Sequence, residues 1–249
     1  MTTTRSALET AASRLRAARR VVVLTGAGVS AESGLPTFRQ PQTGLWARYR
    51  PEDLATPEAF ARQPDVVWEW YEWRRSLVAA AEPNAAHHAL VELEERVPDF
   101  TLITQNVDGL HERAGSRRVV ELHGRITRTI CSRERRVVES WEDDGSVPPR
   151  CPGCGAFLRP DVVWFGEALP ERAIEAATAA AAGCDVLLVV GTALRVWPAA
   201  GLVPLAARSG ATVVSVNTAT PDAPPEPGEI RLVGPAAEVV PALVESAWP

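Results

Sequence analysis

Short runs of consecutive β-branched and aliphatic residues recur along the chain, each closed by a polar or glycine-bearing turn. Val21-Val22-Val23-Leu24 runs into Thr25-Gly26-Ala27-Gly28, and Phe100–Thr104 runs into Gln105-Asn106. Asp185–Val190 is followed by Gly191, and Ala211–Val216 ends at Asn217. Runs that stay apolar at successive positions suit strands covered on both faces, as in a parallel sheet beneath helices. Between them, Ala173–Ala182 and Trp197–Arg208 are Ala- or Leu-rich stretches of helical character, and Met1–Arg20 reads as a first helix. Strand and helix in alternation predict an α/β fold, a doubly wound parallel sheet of Rossmann-like form.

Two stretches break that rhythm. Residues from about 41 to 84 are rich in Trp, Arg and Glu and mostly helical in pattern, whereas about 127 to 158 carry three cysteines, Pro148-Pro149 and much charge. Together they are expected to form a smaller inserted lobe on a large lobe made of about 1–40, 85–126 and 159–249. The Pro-rich patch Pro221–Pro227 reads as a surface loop.

Composition narrows the chemistry. The 249 residues suffice for one core with a small appendage. With 46% hydrophobic and 23% charged residues the chain is ordinary for a soluble protein, and its apolar runs are too short for a transmembrane helix. The N-terminus lacks the apolar segment of a secretory signal, which makes the cytoplasm the expected location and leaves no membrane partner. A net charge of −5 without a dense basic stripe argues against nucleic acid as the main ligand. All 26 basic residues are Arg, so no lysine nucleophile or Schiff base is available. The four cysteines, Cys131, Cys151, Cys154 and Cys184, favour a metal site or free thiols over a disulfide framework. Nothing in the sequence sets an oligomeric state.

Several segments carry candidate chemistry. Gly26-Ala27-Gly28-Val29-Ser30-Ala31 follows a strand and fits G-x-G-x-x-[G/A], in which backbone N–H groups and a following helix N-terminus favour a pyrophosphate. A purely structural tight turn has the same pattern. The next residues, Glu32 to Arg39, combine Gly, Pro, an aromatic and Arg, as suits a cover over a ligand: Phe38 shielding a reactive ribose and Arg39 gripping phosphate or carboxylate. Gln105-Asn106-Val107-Asp108 lies just past a strand, where open α/β sheets bind ligands, although Asn and Asp there equally cap a helix. His123 ends a short apolar run beside Gly124 and can serve as a general base. His87, His88 and His111 have the same bare claim. Tyr71 and Arg74 are three apart on a Trp-rich helix, one face of which could receive a carboxylate; a solvated Arg beside core aromatics is the plainer reading.

The chain at this point resembles the sirtuins. The resemblance rests on Gly26–Arg39, Thr104-Gln105-Asn106-Val107-Asp108-Gly109-Leu110-His111, Glu121-Leu122-His123-Gly124, Val163-Trp164-Phe165-Gly166-Glu167, Gly191-Thr192-Ala193 and Val216-Asn217, in family order over about residues 20 to 240. It implies one catalytic domain over 1–249 that uses NAD as co-substrate to remove acyl groups from lysine side chains of other proteins. The acyl oxygen attacks C1′ of the nicotinamide ribose, nicotinamide leaves, and His123 takes a proton from the ribose hydroxyls. Water then yields lysine and O-acyl-ADP-ribose. Asn106 joins His123 as a catalytic residue. The implied NAD contacts are Gly26, Ala27, Gly28, Ser30, Glu32, Thr37, Phe38, Arg39, Trp46, Gln105, Asn106, Asp108, Gly191, Thr192, Ala193, Asn217 and Ala236. Val163, Trp164, Phe165 and Gly166 are expected to pair with an extended substrate peptide. Tyr71-x-x-Arg74, Thr37 and Asp53–Pro57 resemble the branch that removes malonyl, succinyl and glutaryl groups, so Tyr71 and Arg74 are the expected carboxylate receptor. ADP-ribose transfer to protein and non-enzymatic NAD binding are the alternatives on the same scaffold.

The resemblance also implies a zinc-ribbon-like module. Cys151-Pro152-Gly153-Cys154 is a C-x-x-C turn, and the family has a matching one upstream. Here that site reads Cys131-Ser132-Arg133-Glu134, with Glu134 where the fourth cysteine stands. Three outcomes follow: zinc held by Cys131, Cys151, Cys154 and a fourth ligand such as Glu134 or water; weak zinc binding; or a lobe that persists without metal. Cys184 reads as a small buried hydrophobe.

Overall fold

The computed structural model describes residues 2–36, 49–219 and 225–249. The chain divides into two units, one comprising Met1–Leu35, Glu82–Leu122 and Pro170–Pro249, the other Pro36–Ala81 and His123–Leu169.

The four apolar runs are strands of the larger unit: β1 (Arg20–Thr25), β2 (Asp99–Thr104), β6 (Val186–Val190) and β7 (Thr212–Asn217). Two short strands not anticipated from the pattern join them, β3 (Val119–Glu121) and β8 (Ile230–Val233); neither has an apolar run long enough to announce itself. All pairs are parallel, in the order β3-β2-β1-β6-β7-β8. Taken along this unit the order is 3-2-1-4-5-6, the Rossmann arrangement, and the direction of winding reverses between β1 and β6.

Period-two burial explains the unbroken apolar runs. Val21, Val23, Leu102, Val186, Leu188, Val214 and Val216 share a core with residues of α1 (Thr2–Ala17), α5 (Ala85–Arg96) and α9 (Ala236–Ala247). The intervening Val22, Leu24, Ile103, Leu187 and Val213 are buried as well. α7 (Glu171–Gly183) and α8 (Leu202–Arg208) pack together, α7 reaching β1 and β3, and α8 reaching β7. The helix expected from Trp197 begins only at Leu202, after a single 3₁₀ turn at Ala199–Gly201. Pro198 keeps Trp197 outside the helix, because the residue before a proline is steered out of helical backbone.

In the smaller unit α2 (Pro51–Leu54), α3 (Pro57–Arg62) and α4 (Pro64–Ala80) each open on a proline, which loses no helical hydrogen bond there. The Thr56 hydroxyl caps α3 by accepting from the Ala59 amide at 3.1 Å. α4 buries Val67, Trp68, Trp70, Tyr71 and Val78. Two strands, β4 (Gly124–Cys131) and β5 (Leu158–Val162), form an antiparallel pair that carries the cysteine-bearing segment between them. Because β5 pairs with β4, the residues from 158 to 169 group with the smaller unit, although the sequence pattern placed those after 158 with the larger one. Among the described residues no helix is long and apolar enough to cross a membrane.

Candidate active site

In the larger unit the carboxyl ends of β1 and β6 meet at the reversal point. The Gly26 amide donates to the Val190 carbonyl at 3.1 Å, and the Gly28 amide to the Gly191 carbonyl at 2.8 Å. A Cβ on Gly28 would lie 2.7 Å from the Gly191 oxygen, and one on Gly191 (φ +62°) 2.3 Å from the Val29 nitrogen. Backbone therefore packs on backbone, and only glycine fits. The glycines are thus required by turn-against-turn packing as well as by any ligand's approach. The α-helix expected behind the turn is instead a 3₁₀ helix, Ala27–Ser33, closed by Gly34 at φ +81°.

A buried polar cluster lies under this turn. The Ser30 hydroxyl donates to Asp108 Oδ2 at 2.8 Å and accepts from Asn106 Nδ2 at 3.1 Å. His87 Nε2 stands 3.5 Å from the same hydroxyl. The Asn84 amide donates to His87 Nδ1 at 3.2 Å, which leaves the imidazole proton on Nε2, facing Ser30. Asp108 Oδ1 accepts from the Leu110 amide at 2.9 Å, a local turn ahead of α6 (Leu110–Ala114), whose N-cap is Gly109 and not Asp108. Deeper still, the Thr25 hydroxyl donates to Thr104 Oγ1 at 2.9 Å and lies 3.0 Å from His111 Nε2. Gln105 Nε2 donates to Thr192 Oγ1, and Asn217 Nδ2 to the Thr192 carbonyl, both at 3.0 Å.

Burial sets the charges here. It raises the Asp108 pKa above the usual carboxylate value, against the opposing hydrogen bonds from Leu110 and Ser30. It lowers His87 to about 4 and His111 to about 3, so both imidazoles are neutral at pH 7. His87 was only one histidine among several in the sequence; its signal is the Asn84-x-x-His87 spacing of a capping box, which the structure forms.

The other expected cofactor contacts are placed less uniformly. Ala27 and Gly28 are half-buried, Glu32 and Ala193 are exposed, and Ala236 is buried in the core at the start of α9. Thr37, Phe38, Arg39 and Trp46 lie outside the described residues.

In the smaller unit, half-buried His123 begins the chain segment that follows Leu122, whose own amide is anchored on the Thr104 carbonyl. The His123 carbonyl accepts from the Val163 amide at 2.9 Å. The glycine of the His-Gly pair has a local cause: Gly124 is at φ +78°, and a Cβ there would lie 2.2 Å from the Asp161 oxygen. β5 ends at Val162, and the chain turns at Phe165-Gly166, with the Phe165 amide on the Ala55 carbonyl at 2.9 Å and Gly166 at φ +88°. Buried Arg159, not singled out from sequence, shapes that turn. It donates twice to Glu167, at 2.7 and 2.9 Å, and once to the Val162 carbonyl at 2.7 Å, with its guanidinium over the Trp164 ring. Glu167 also accepts from the Trp164 amide at 2.9 Å. A charged Arg inside an antiparallel strand announces nothing until its carboxylate partner is placed.

Trp164 Nε1 donates to the Tyr71 hydroxyl at 2.9 Å, and the two rings stack with centroids 6.4 Å apart. Tyr71 is 2% exposed, and burial raises its pKa to about 12, against the opposing charge of nearby Arg74. The Arg74 guanidinium lies 5.1 Å from the Trp70 ring centre. The structure thus joins Tyr71 to Trp164 and sets Arg74 over Trp70, near enough for its charge to act on Tyr71.

Cys131, Cys151, Cys154 and Glu134 each offer a ligand atom within 4.8 Å of the others. Three thiols with one carboxylate are a donor set suited to zinc, which would act as a structural staple for this segment. Cys184 stands apart, its thiol donating to the Ala181 carbonyl at 3.3 Å and raised to about 11 by burial.

A 3-2-1-4-5-6 parallel sheet with a glycine turn and buried polar side chains at its reversal point defines a dinucleotide-binding α/β protein. Comparison with known proteins narrows this. The profile of the Sir2 family matches residues 26–198, and the chain belongs to that family. It is 53% identical to NAD-dependent protein deacylase 1 of Pseudomonas aeruginosa, across 94% of this chain and 97% of that one. A Sir2 homologue solved in complex with NAD superposes with a TM-score of 0.88 at 44% identity, covering 96% of this chain and 93% of the other. Sir2Af2, solved with a myristoylated histone peptide, superposes with a TM-score of 0.77 at 36% identity, covering 98% and 97%.

Proposed function

We propose that the protein is an NAD-dependent protein deacylase, one catalytic domain over residues 1–249, acting on acylated lysines of other proteins. The buried Ser30–Asn106–Asp108 cluster at the carboxyl ends of β1 and β2 carries this reading. It holds amide, hydroxyl and carboxylate side chains ready for a ribose and a nicotinamide amide, in a chain whose relatives bear that activity in their names. NAD is a substrate here: the acyl oxygen displaces nicotinamide, and lysine and O-acyl-ADP-ribose are the products. His123 acts as general base towards the ribose hydroxyls, and Asn106 orients the reacting ribose. Gly26, Ala27, Gly28, Ser30, Glu32, Thr37, Phe38, Arg39, Trp46, Gln105, Asp108, Gly191, Thr192, Ala193, Asn217 and Ala236 form the NAD-binding set. The Val163–Gly166 segment receives the peptide.

Acyl preference is the finer part of the proposal. Arg74, whose charge acts on neighbouring Tyr71, supports a receptor for the distal carboxylate of succinyl- or malonyl-lysine. Four free cysteines support residence in the reducing cytoplasm. The test is mass spectrometry of a succinyl-lysine peptide and its acetyl twin, each incubated with NAD and the purified enzyme. The expected result is loss of the acyl mass with O-acyl-ADP-ribose formed, faster from the succinyl peptide. ADP-ribose found on protein instead, with both peptides intact, would replace deacylation by ADP-ribose transfer.

A further inference from the structure

The two turns that carry the cysteine cluster have the same backbone. In Cys131–Arg136 the amide of Arg135 donates to the Cys131 carbonyl at 2.9 Å, and the Cys131 amide to the Arg136 carbonyl at 2.9 Å. In Cys151–Ala156 the amide of Gly155 donates to the Cys151 carbonyl at 2.8 Å, and the Cys151 amide to the Ala156 carbonyl at 2.7 Å. The residue after the fourth position is left-handed in both, Arg135 at φ +58° and Gly155 at φ +72°. A non-glycine residue holds that conformation only where its surroundings enforce it. Glu134 therefore occupies the place in its turn that Cys154 occupies in the other, and its amide donates to Cys131 Sγ at 3.4 Å. The metal knuckle has kept its shape although its second cysteine is absent.

The side chains agree. The Cys131 and Cys154 sulfurs are 3.5 Å apart, close to the roughly 3.8 Å spanned by two 2.3 Å bonds to a tetrahedral zinc. Arg136 reaches into the group, with Nε on Glu134 Oε2 and Nη2 3.3 Å from Cys151 Sγ. It lies so near Gly153 that a Cβ there would meet Nη2 at 2.0 Å. Three thiolates and a carboxylate around one Zn²⁺ leave two negative charges in excess, and a guanidinium forked between an oxygen and a sulfur offsets one of them.

We propose that Glu134 is the fourth ligand of a Cys₃–carboxylate zinc site, and that Arg136 is a positioning residue that holds the carboxylate against the thiolates. One hard oxygen among soft sulfurs makes the metal more exchangeable than a four-cysteine set would. The proposal stands on the turn geometry and does not depend on the enzymatic reading.

The test uses the full chain loaded with cobalt(II) and, separately, with zinc. Cobalt should give thiolate charge-transfer absorption and the d–d bands of a tetrahedral site. Glu134→Cys should move those bands to longer wavelength and slow zinc loss to a chromophoric chelator by about tenfold or more. Glu134→Gln should change the bands and speed zinc loss by a similar factor. Arg136→Gln should leave the bands near their wild-type position yet speed zinc loss several-fold. Identical spectra and release rates for wild type and Glu134→Gln would overturn the carboxylate ligand. So would a wild-type chain that takes up no cobalt while Glu134→Cys takes up one equivalent. An unchanged release rate in Arg136→Gln would remove Arg136 from the site.

Discussion

The floor of the glycine turn and the cysteine knuckles are both small clusters of polar side chains, yet they are organised in opposite ways. Beneath the glycine turn, Ser30, Asn106, Asp108 and His87 hold one another by hydrogen bonds inside a buried setting. At the knuckles two matching backbone turns hold three sulfurs and a carboxylate together, with Arg136 the cation among them. The first cluster is preorganised by its side chains, the second by its main chain. A buried hydrogen-bonded cluster is sensitive to protonation and to lost volume; a knuckle is sensitive to what it binds.

The sharpest way to separate chemistry from scaffold is His123→Ala, which removes the proposed base and leaves the residues of both clusters in place. Deacylation should fall by about 10²- to 10⁴-fold, while the melting temperature changes little, as read by peptide mass spectrometry and thermal unfolding. Retained activity would move the base elsewhere.

The hydrogen-bonded cluster should show itself through pH. His87 titrates at about 4 in the folded chain against 6.5 unfolded, and His111 at about 3. The unfolded chain thus binds more protons between those values, so stability is full above pH 6.5 and is lost as pH falls towards 4 and 3. His87 alone accounts for on the order of 3 kcal/mol of that loss. Melting curves from neutral to acidic pH should be flatter for His87→Gln than for wild type; parallel curves would mean that His87 does not carry the effect.

Gly28→Ala places a methyl against the Gly191 carbonyl and should lower stability by about 1–3 kcal/mol, measured in urea. A wild-type midpoint for this variant would show that the two turns can part without cost.

The smallest expected change separates substrates, with the fold left intact. Arg74→Met should cost desuccinylation about tenfold more than deacetylation, the worth of one charged hydrogen bond. Equal losses on both peptides would dismiss the carboxylate receptor.

The sequence by itself determined the parallel strands, because a sheet buried on both faces must be apolar at successive positions and leaves unbroken runs such as Val21–Leu24 and Val186–Val190. It also determined the family, because the motif strings lie in contiguous segments. The Cys131-x-x-Glu134 departure was equally visible as spacing. Only tertiary structure decided what depends on residues far apart in the chain. β3 and β8 are too short to read without the neighbours they pair with. Gly28 and Gly191 need glycine because turns 163 residues apart in sequence close on each other. His87 joins Ser30, and Arg159 clamps Glu167, through geometry that no local pattern encodes. The equivalence of Glu134 and Cys154 rests on hydrogen bonds in two turns that the sequence lists separately, and folding alone makes them a pair.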